Sequence, residues 1–322
     1  MSGASVQAVV AAGGAEVSRL MDRVEQRMAQ LAASHGALLA RHAGETITAG
    51  GKRLRPLLVC LAAGVPAPER EGLVRAAVAV ELIHGATLVH DDVLDGASLR
   101  RGRPTVVAAA GRGLATATGD LLFSRAFAEL AAGGSVQAVR VLSRASSELA
   151  TGELMQRADA WRAGVGIERY LERCRLKTAV LFKAACELGA LEGGDWVGAL
   201  GEFGERIGVA FQILDDVLDV SGPPERTGKP RGADLLDGTV TLPLILARGS
   251  DQELAALDLR TVRTPELAAG VCERIAATGA LTAAKQRALE LVREAKLALP
   301  ELGDRHRAAL ELVADGVVER YA

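Results

Sequence analysis

The sequence predicts an all-α protein, and three observations carry that prediction. Alanine, leucine, arginine and glutamate are abundant while aromatic residues make up 3% of the chain, a mixture that suits helices better than strands. Apolar residues recur at helical spacing through most of the 322 residues, the signature of helices with one buried face. Glycine and proline pairs then cut the pattern into segments of about 15 to 30 residues, too long for strands.

The elements follow in order. Residues 1–13 carry a short apolar stretch with no Lys or Arg ahead of it, which makes a poor secretory signal, and they are expected to form a loose tail. Val17, Leu20, Met21, Val24, Met28 and Leu31 line one face of the first expected helix. Breaks come at Ala49-Gly50-Gly51, Gly64-Val65-Pro66-Ala67-Pro68, Gly102-Arg103-Pro104, Gly133-Gly134, Gly193-Gly194, Ser221-Gly222-Pro223-Pro224 and Gly249-Ser250. Two stretches, 72–95 and 195–220, are apolar around most of the helix circumference, as helices enclosed by others are. With no composition shift, polar linker or solenoid repeat, residues 14–322 are expected to form one helical domain.

Apolar residues make up 49% of the chain and the formal net charge is −2. A substantial core is therefore available, and no global basic field exists to attract nucleic acid. No uncharged apolar run approaches the ~20 residues of a membrane span, so membrane contact is expected to be peripheral at most. Cys60, Cys174, Cys186 and Cys272 lack the short paired spacing of zinc or redox motifs. They read as small buried hydrophobes in a reducing, cytoplasmic setting.

One pentapeptide, DDVLD, occurs twice, at Asp91 to Asp95 and at Asp215 to Asp219. Each copy is expected to end one of the two central helices. In a helix Asp91, Asp92 and Asp95 share one side of a single turn, and Asp215, Asp216 and Asp219 repeat the geometry. The helix dipole disfavours anions at that end, and crowding three carboxylates adds to the cost. Hard divalent cations compensate such clusters, and magnesium shares its shell between carboxylates, water and substrate phosphates. Two clusters facing each other would clamp a diphosphate. DDVLD lacks the alternating spacing of an EF-hand loop.

Basic residues alternate with these acids. Lys52, Arg53 and Arg55 sit at a glycine-rich helix entry in GGKRLRP, a natural diphosphate site. Arg100, Arg101 and Arg103 form a second basic turn just after the first acidic cluster. His84 lies two turns before Asp91, where it either faces the same cavity or is a hydrogen-bonded core residue. Lys177-Thr178 falls within an apolar helix, where a lysine needs an anion or solvent to stay charged. Phe211-Gln212 precedes the second cluster by one turn, and Lys229 and Asp234 follow it in an expected mobile loop.

These residues together resemble the trans-isoprenyl diphosphate synthase family, with its two aspartate-rich motifs. The resemblance runs through GGKRLRP (Gly50 to Pro56), ELIHGATLVHDDVLDGASLRRGRPT (Glu81 to Thr105), Gly119-Asp120, Gly152-Glu153 with Gln156, KTAVLF (Lys177 to Phe182), FQILDDVLD (Phe211 to Asp219), GKPRGADL (Gly228 to Leu235) and TLPLI (Thr241 to Ile245). It implies a bundle of long helices around a central cavity, the isoprenoid synthase fold. It further implies head-to-tail condensation of isopentenyl diphosphate with an allylic diphosphate, and a homodimer. About three magnesium ions would be bound by Asp91, Asp92, Asp95, Asp215, Asp216 and Asp219. Arg100, Lys177, Thr178, Gln212 and Lys229 would hold the allylic diphosphate, and Lys52, Arg55, His84 and Arg101 that of isopentenyl diphosphate.

Short-chain members commonly place an aromatic residue at the level of Ala86. Ala86, with Thr87 and Ile83 near it, implies an open tunnel and a long-chain product of roughly six or more isoprene units. One departure is Thr239, where some members carry lysine. Rival readings are a short-chain synthase, a terpene cyclase, an HD-type phosphohydrolase built on His90-Asp91, and a regulatory subunit. Cyclases normally carry a different second metal motif and lack GGKRLRP. The phosphohydrolase would need more histidine ligands than His35, His42 and His306 supply, and regulatory subunits typically lack the acidic motifs.

Overall fold

The computed structural model describes residues 3–34, 42, 44, 46, 51–64, 70–100, 102–222 and 231–319. The all-α expectation holds: helices dominate, and the one sheet among the described residues is a two-stranded ribbon. The chain divides into two compact units.

Unit 1 comprises Met1–Ser146, Leu181–Gly204 and Ala298–Gly316. Its elements are α1 (Gly3–Gly13), α2 (Ala15–Ala33), α3 (Leu54–Ala62), α4 (Glu71–Asp95), the ribbon of β1 (Leu99–Arg100) and β2 (Arg103–Pro104), and α5 (Val106–Ala132). To these it adds the first part of α6 (Val136–Asp159), most of α8 (Val180–Gly193), the start of α9 (Val197–Ser221), and most of α15 (Asp304–Glu319). Helix α4 is central, as its all-round apolar sequence requires, and packs against α5, α3 and α2. Among the described residues α4 is the one helix that by length and composition would pass for a membrane span, but 67% of that apolar window is buried inside the protein, the pattern of a core helix.

Arg75 on α4 is neutralised locally. Arg75 and Arg27 both reach the buried carboxylate of Glu129, at 3.1 and 2.9 Å. Helix α2 buries Val17, Leu20, Val24 and Met28 along the expected face, with Met21 and Leu31 half-buried at its edges. The expected loose tail needs correction: residues 3–13 are helical. Val9 is buried, and Arg305 Nε donates to the Ala12 carbonyl at 3.2 Å, contacts that no local sequence signal announces.

Unit 2 comprises Ser147–Val180, Glu205–Leu297 and Val317–Ala322. It holds the second part of α6, α7 (Ile167–Cys174), a π-helical turn (Arg175–Ala179), the larger part of α9, α10 (Ala233–Leu236), α11 (Leu242–Arg248), α12 (Gln252–Ala256), α13 (Pro265–Ala277) and α14 (Ala280–Leu297). Val220, Leu235, Val240, Leu244, Cys272 and Ile275 belong to its core. Side chains cap the short helices here: Asp251 accepts from the amides of Glu253 and Leu254, both at 2.9 Å, and Thr264 accepts from that of Leu267 ahead of α13. All four cysteines are free and buried.

Candidate active site

In unit 1 the site begins where α4 stops. Gly96 takes the left-handed conformation (φ 63°) that ends the helix, leaving the first acidic cluster on the last turn. Asp92 is 5% exposed, and the β1–β2 ribbon folds back to bring Arg100 onto it. Arg100 Nε donates to Oδ1 and Oδ2 at 2.9 and 3.1 Å, and its Nη2 lies 2.8 Å from Oδ1. Asp91 is half-buried and Asp95 exposed. The basic turn expected at residues 98–105 is therefore a small antiparallel ribbon, pairing Leu99 with Pro104 and Arg100 with Arg103. Thr105 then caps α5.

His84 is half-buried on α4. His90 points at α5: its Nε2 lies 3.3 Å from Asp120 Oδ1 and its ring stacks on Phe123 at 5.8 Å. That engagement removes His90 from any HD-type metal site. Ile83 and Ala86 are fully buried on α4, and Thr87 is half-buried with its hydroxyl donating to the His84 carbonyl at 2.9 Å.

The three cations of GGKRLRP are not equivalent. Lys52 is exposed at the entry to α3. Arg53 takes a left-handed conformation (φ 45°) and is neutralised by Glu25 at 2.7 Å and Glu81 at 2.9 Å, so it anchors the turn. Arg55 lies over the Phe182 ring at 4.6 Å. Its Nε is buried without a hydrogen-bond partner among the described residues. Burial lowers its pKa to about 10 against the opposing pull of Glu81. A guanidinium held this way accepts an anion readily. Arg101 and Lys229, the other two expected diphosphate ligands, lie outside the described residues.

In unit 2 the second cluster ends α9. Asp216 is 3% exposed and both its oxygens are engaged: Tyr170 Oη donates to Oδ2 at 2.6 Å and Gln212 Nε2 to Oδ1 at 2.7 Å. Thr178 Oγ1 in turn lies 2.6 Å from Gln212 Oε1. Asp219 accepts from the amides of Ala233 and Asp234 at the start of α10, at 3.1 and 3.3 Å. Asp215 is half-buried. Burial and the Asp234 carboxylate push Asp219 up to about 8. The same two causes, with Asp215, raise Asp216 well above the ordinary carboxylate range.

Lys177 and Thr178 sit in the π-helical turn, a departure from α geometry that often marks functional segments. The anion that Lys177 needs is Glu153, which also accepts from Arg157 Nε at 2.7 Å. Burial works to raise the Glu153 pKa, but the two cations more than offset it and leave the carboxylate below its usual range. Gly152 makes this approach possible, since a Cβ there would lie 2.5 Å from the Lys177 backbone nitrogen. Thr239 is buried, its amide donating to the Asp234 carbonyl at 2.8 Å.

Sequence reasoning left Tyr170, Glu81 and Asp234 out of the site. Asp234 and Glu81 had a signal, their places in GKPRGADL and at the start of ELIHGATL. Tyr170 had none, lying in the largely charged segment IERYLERC.

The donor set fits a hard divalent cation. It consists of carboxylate oxygens alone, and in the second cluster their mutual repulsion and burial call for positive charge. Among the described residues no group of three or more His, Cys, Asp or Glu side chains is placed to hold a metal ion by itself; magnesium ordinarily keeps waters and shares substrate phosphates.

Comparison with known proteins gives a consistent answer. The polyprenyl synthetase family model matches residues 37–271. Heptaprenyl diphosphate synthase component 2 of Geobacillus stearothermophilus is 44% identical over 237 residues, covering 73% of this chain and 74% of that protein. The geranylgeranyl diphosphate synthase of Methanosarcina mazei is 37% identical over 284 residues, covering 85% and 87%. The crystal structure of a polyprenyl synthase from Caulobacter crescentus CB15, complexed with calcium and isoprenyl diphosphate, superposes with a TM-score of 0.88 at 36% identity over 98% of each chain. A family match across most of the length, on an all-helical fold with both aspartate-rich helix ends intact, means that this chain belongs to the polyprenyl synthetase family and is a prenyltransferase.

Proposed function

We propose that the protein condenses isopentenyl diphosphate with an allylic diphosphate to give an all-trans product of roughly six or more isoprene units. The observation that carries the product length is Ala86, a small, fully buried residue on α4. At ~1.5 Å per residue it lies about 7.5 Å along the helix from Asp91, the direction in which a growing chain would run. Ile83 lies one turn further and would form part of the deeper wall. The 44% identity to a heptaprenyl synthase component supports this reading. The geranylgeranyl relative at 37% keeps a shorter product as the second reading.

In the proposed reaction the allylic C–O bond breaks and diphosphate departs with the electron pair. The isopentenyl double bond attacks the resulting cation, and a proton is lost to the departed diphosphate. Arg100, Lys177, Thr178, Gln212 and Lys229 flank the allylic diphosphate, while Lys52, Arg55, His84 and Arg101 hold that of isopentenyl diphosphate. Asp91, Asp92, Asp95, Asp215, Asp216 and Asp219 are the residues that would hold about three magnesium ions. Each carboxylate has about four acceptor sites, so Asp92 and Asp216 keep capacity beyond their protein donors. Bound magnesium supplies the positive charge that stabilises a leaving diphosphate. The residues contribute position and electrostatics rather than covalent chemistry.

We further infer a cytoplasmic homodimer with at most peripheral membrane contact. The word "component" in the name of the heptaprenyl relative makes a two-subunit enzyme the alternative, and retention of both acidic motifs makes this chain the catalytic partner in either case. One experiment separates the readings: purified chain alone, magnesium, radiolabelled isopentenyl diphosphate and a series of allylic primers, with products sized by chromatography. Products of thirty carbons or more are expected. A stop at fifteen or twenty carbons would overturn the long-chain reading, and no extension without a second protein would overturn the homodimer.

A further inference from the structure

We propose that Tyr170 is a positioning residue that fixes the orientation of the Asp216 carboxyl and, through it, the placement of Gln212 and Thr178. This rests on the reading of the second acidic cluster given above and adds a residue to it.

Tyr170 is fully buried on α7. The Arg173 guanidinium lies 5.5 Å from the centre of its ring, and it is itself anchored by Nη2 donating to the Val240 carbonyl at 2.5 Å. The Tyr170 hydroxyl donates to Asp216 Oδ2 at 2.6 Å. The second Asp216 oxygen takes the NH2 of Gln212. An amide has one donating and one accepting end, so the Gln212 oxygen faces Thr178, and the 2.6 Å contact there requires the threonine hydroxyl to donate. Thr178 and Gln212, two of the residues proposed to flank the allylic diphosphate, are thereby tied to Asp216.

Every contact in this chain starts from the orientation of the Asp216 carboxyl. Phenylalanine at position 170 preserves the ring and removes the donor that holds Oδ2, so the carboxyl is free to turn and Gln212 and Thr178 lose their fixed placement. Loss of such a supporting partner costs about 10- to 100-fold in activity or ion affinity.

The test uses the full chain. Its two tyrosines, Tyr170 and Tyr321, give two fluorine resonances after labelling with 3-fluorotyrosine, assigned by Tyr170→Phe. The Tyr170 signal is expected to move when magnesium and inorganic diphosphate are added; a stationary signal would overturn the inference. Tyr170→Phe should lower kcat about 10- to 100-fold while leaving KM for isopentenyl diphosphate within about twofold. The double variant Tyr170→Phe/Asp216→Asn should be no worse than Asp216→Asn alone. Independent, multiplying losses, or wild-type turnover in Tyr170→Phe, would overturn the proposal. Should Tyr170→Phe lose its helical circular dichroism, the fluorine arm on the wild-type chain decides by itself. If Asp92→Asn and Asp216→Asn both kept full activity, the metal reading would fail instead; if both fail as expected and Tyr170→Phe does not, only the positioning role is lost.

Discussion

Replacing Asp219 by asparagine should stabilise the metal-free protein at the pH where the enzyme works, even as it damages the site. Burial and the neighbouring Asp234 charge push the Asp219 carboxyl from 3.8 in the unfolded chain up to about 8. Between those values the folded protein binds this proton more tightly than the unfolded chain. The group's contribution is therefore fully present below about pH 4 and is lost as pH rises toward 8. A rise of that size corresponds to about 5–6 kcal/mol as a ceiling, and relaxation and water reduce it to about 2–4 kcal/mol. Asparagine cannot ionise, but its single carbonyl replaces two oxygens that accept from Ala233 and Asp234, a loss of about 1 kcal/mol.

The net gain at pH 8 is then about 1–3 kcal/mol, a melting temperature higher by about 2–6 °C. Thermal melts followed by circular dichroism in chelator, on both proteins from pH 4.5 to 8.5, give the difference directly. It should be near zero or slightly negative at the acid end and grow with pH. Magnesium with inorganic diphosphate should raise the wild type more than the variant. A difference that does not change with pH, or a variant less stable than wild type at pH 8, would refute the reasoning.

Other expectations concern the reaction. Asp92→Asn or Asp216→Asn should cut turnover by about a thousandfold, the ~4 kcal/mol scale of one preorganised electrostatic contact, with helicity retained; near-normal rates at saturating magnesium would remove these residues from the metal site. Arg55→Ala should raise KM for isopentenyl diphosphate far more than that for the allylic substrate, and Lys177→Ala the reverse, since their cations stand in different sets. Equal effects on both substrates would dissolve that division. Ala86→Phe should shorten the product without stopping the first condensation, at a stability cost of about 1–3 kcal/mol for overfilling a fully buried position; an unchanged product distribution would place the floor elsewhere.

Much of this protein is determined within single turns of helix, and that part is legible in the sequence. The period of Val17, Leu20, Val24 and Met28 dictates the buried face of α2, and the all-round apolar character of residues 72–95 dictates a core helix, because both follow from local spacing and burial. The two DDVLD copies place carboxylates on one side of a helix end for the same reason, and Gly96 shows where the first must stop.

Tertiary structure decided what each charge is used for. The three cations of GGKRLRP are equal as letters, yet Arg53 is consumed by Glu25 and Glu81 while Arg55 keeps a buried Nε without a hydrogen-bond partner among the described residues, because those carboxylates arrive from α2 and α4. Lys177 meets Glu153 only because Gly152 lets α6 approach the π-helical turn. Tyr170, 46 residues before Asp216, carries no motif at all. Local sequence sets the direction in which a side chain leaves its helix; the partner waiting there comes from another element, and a low-dielectric interior turns that meeting into a fixed orientation and a shifted pKa.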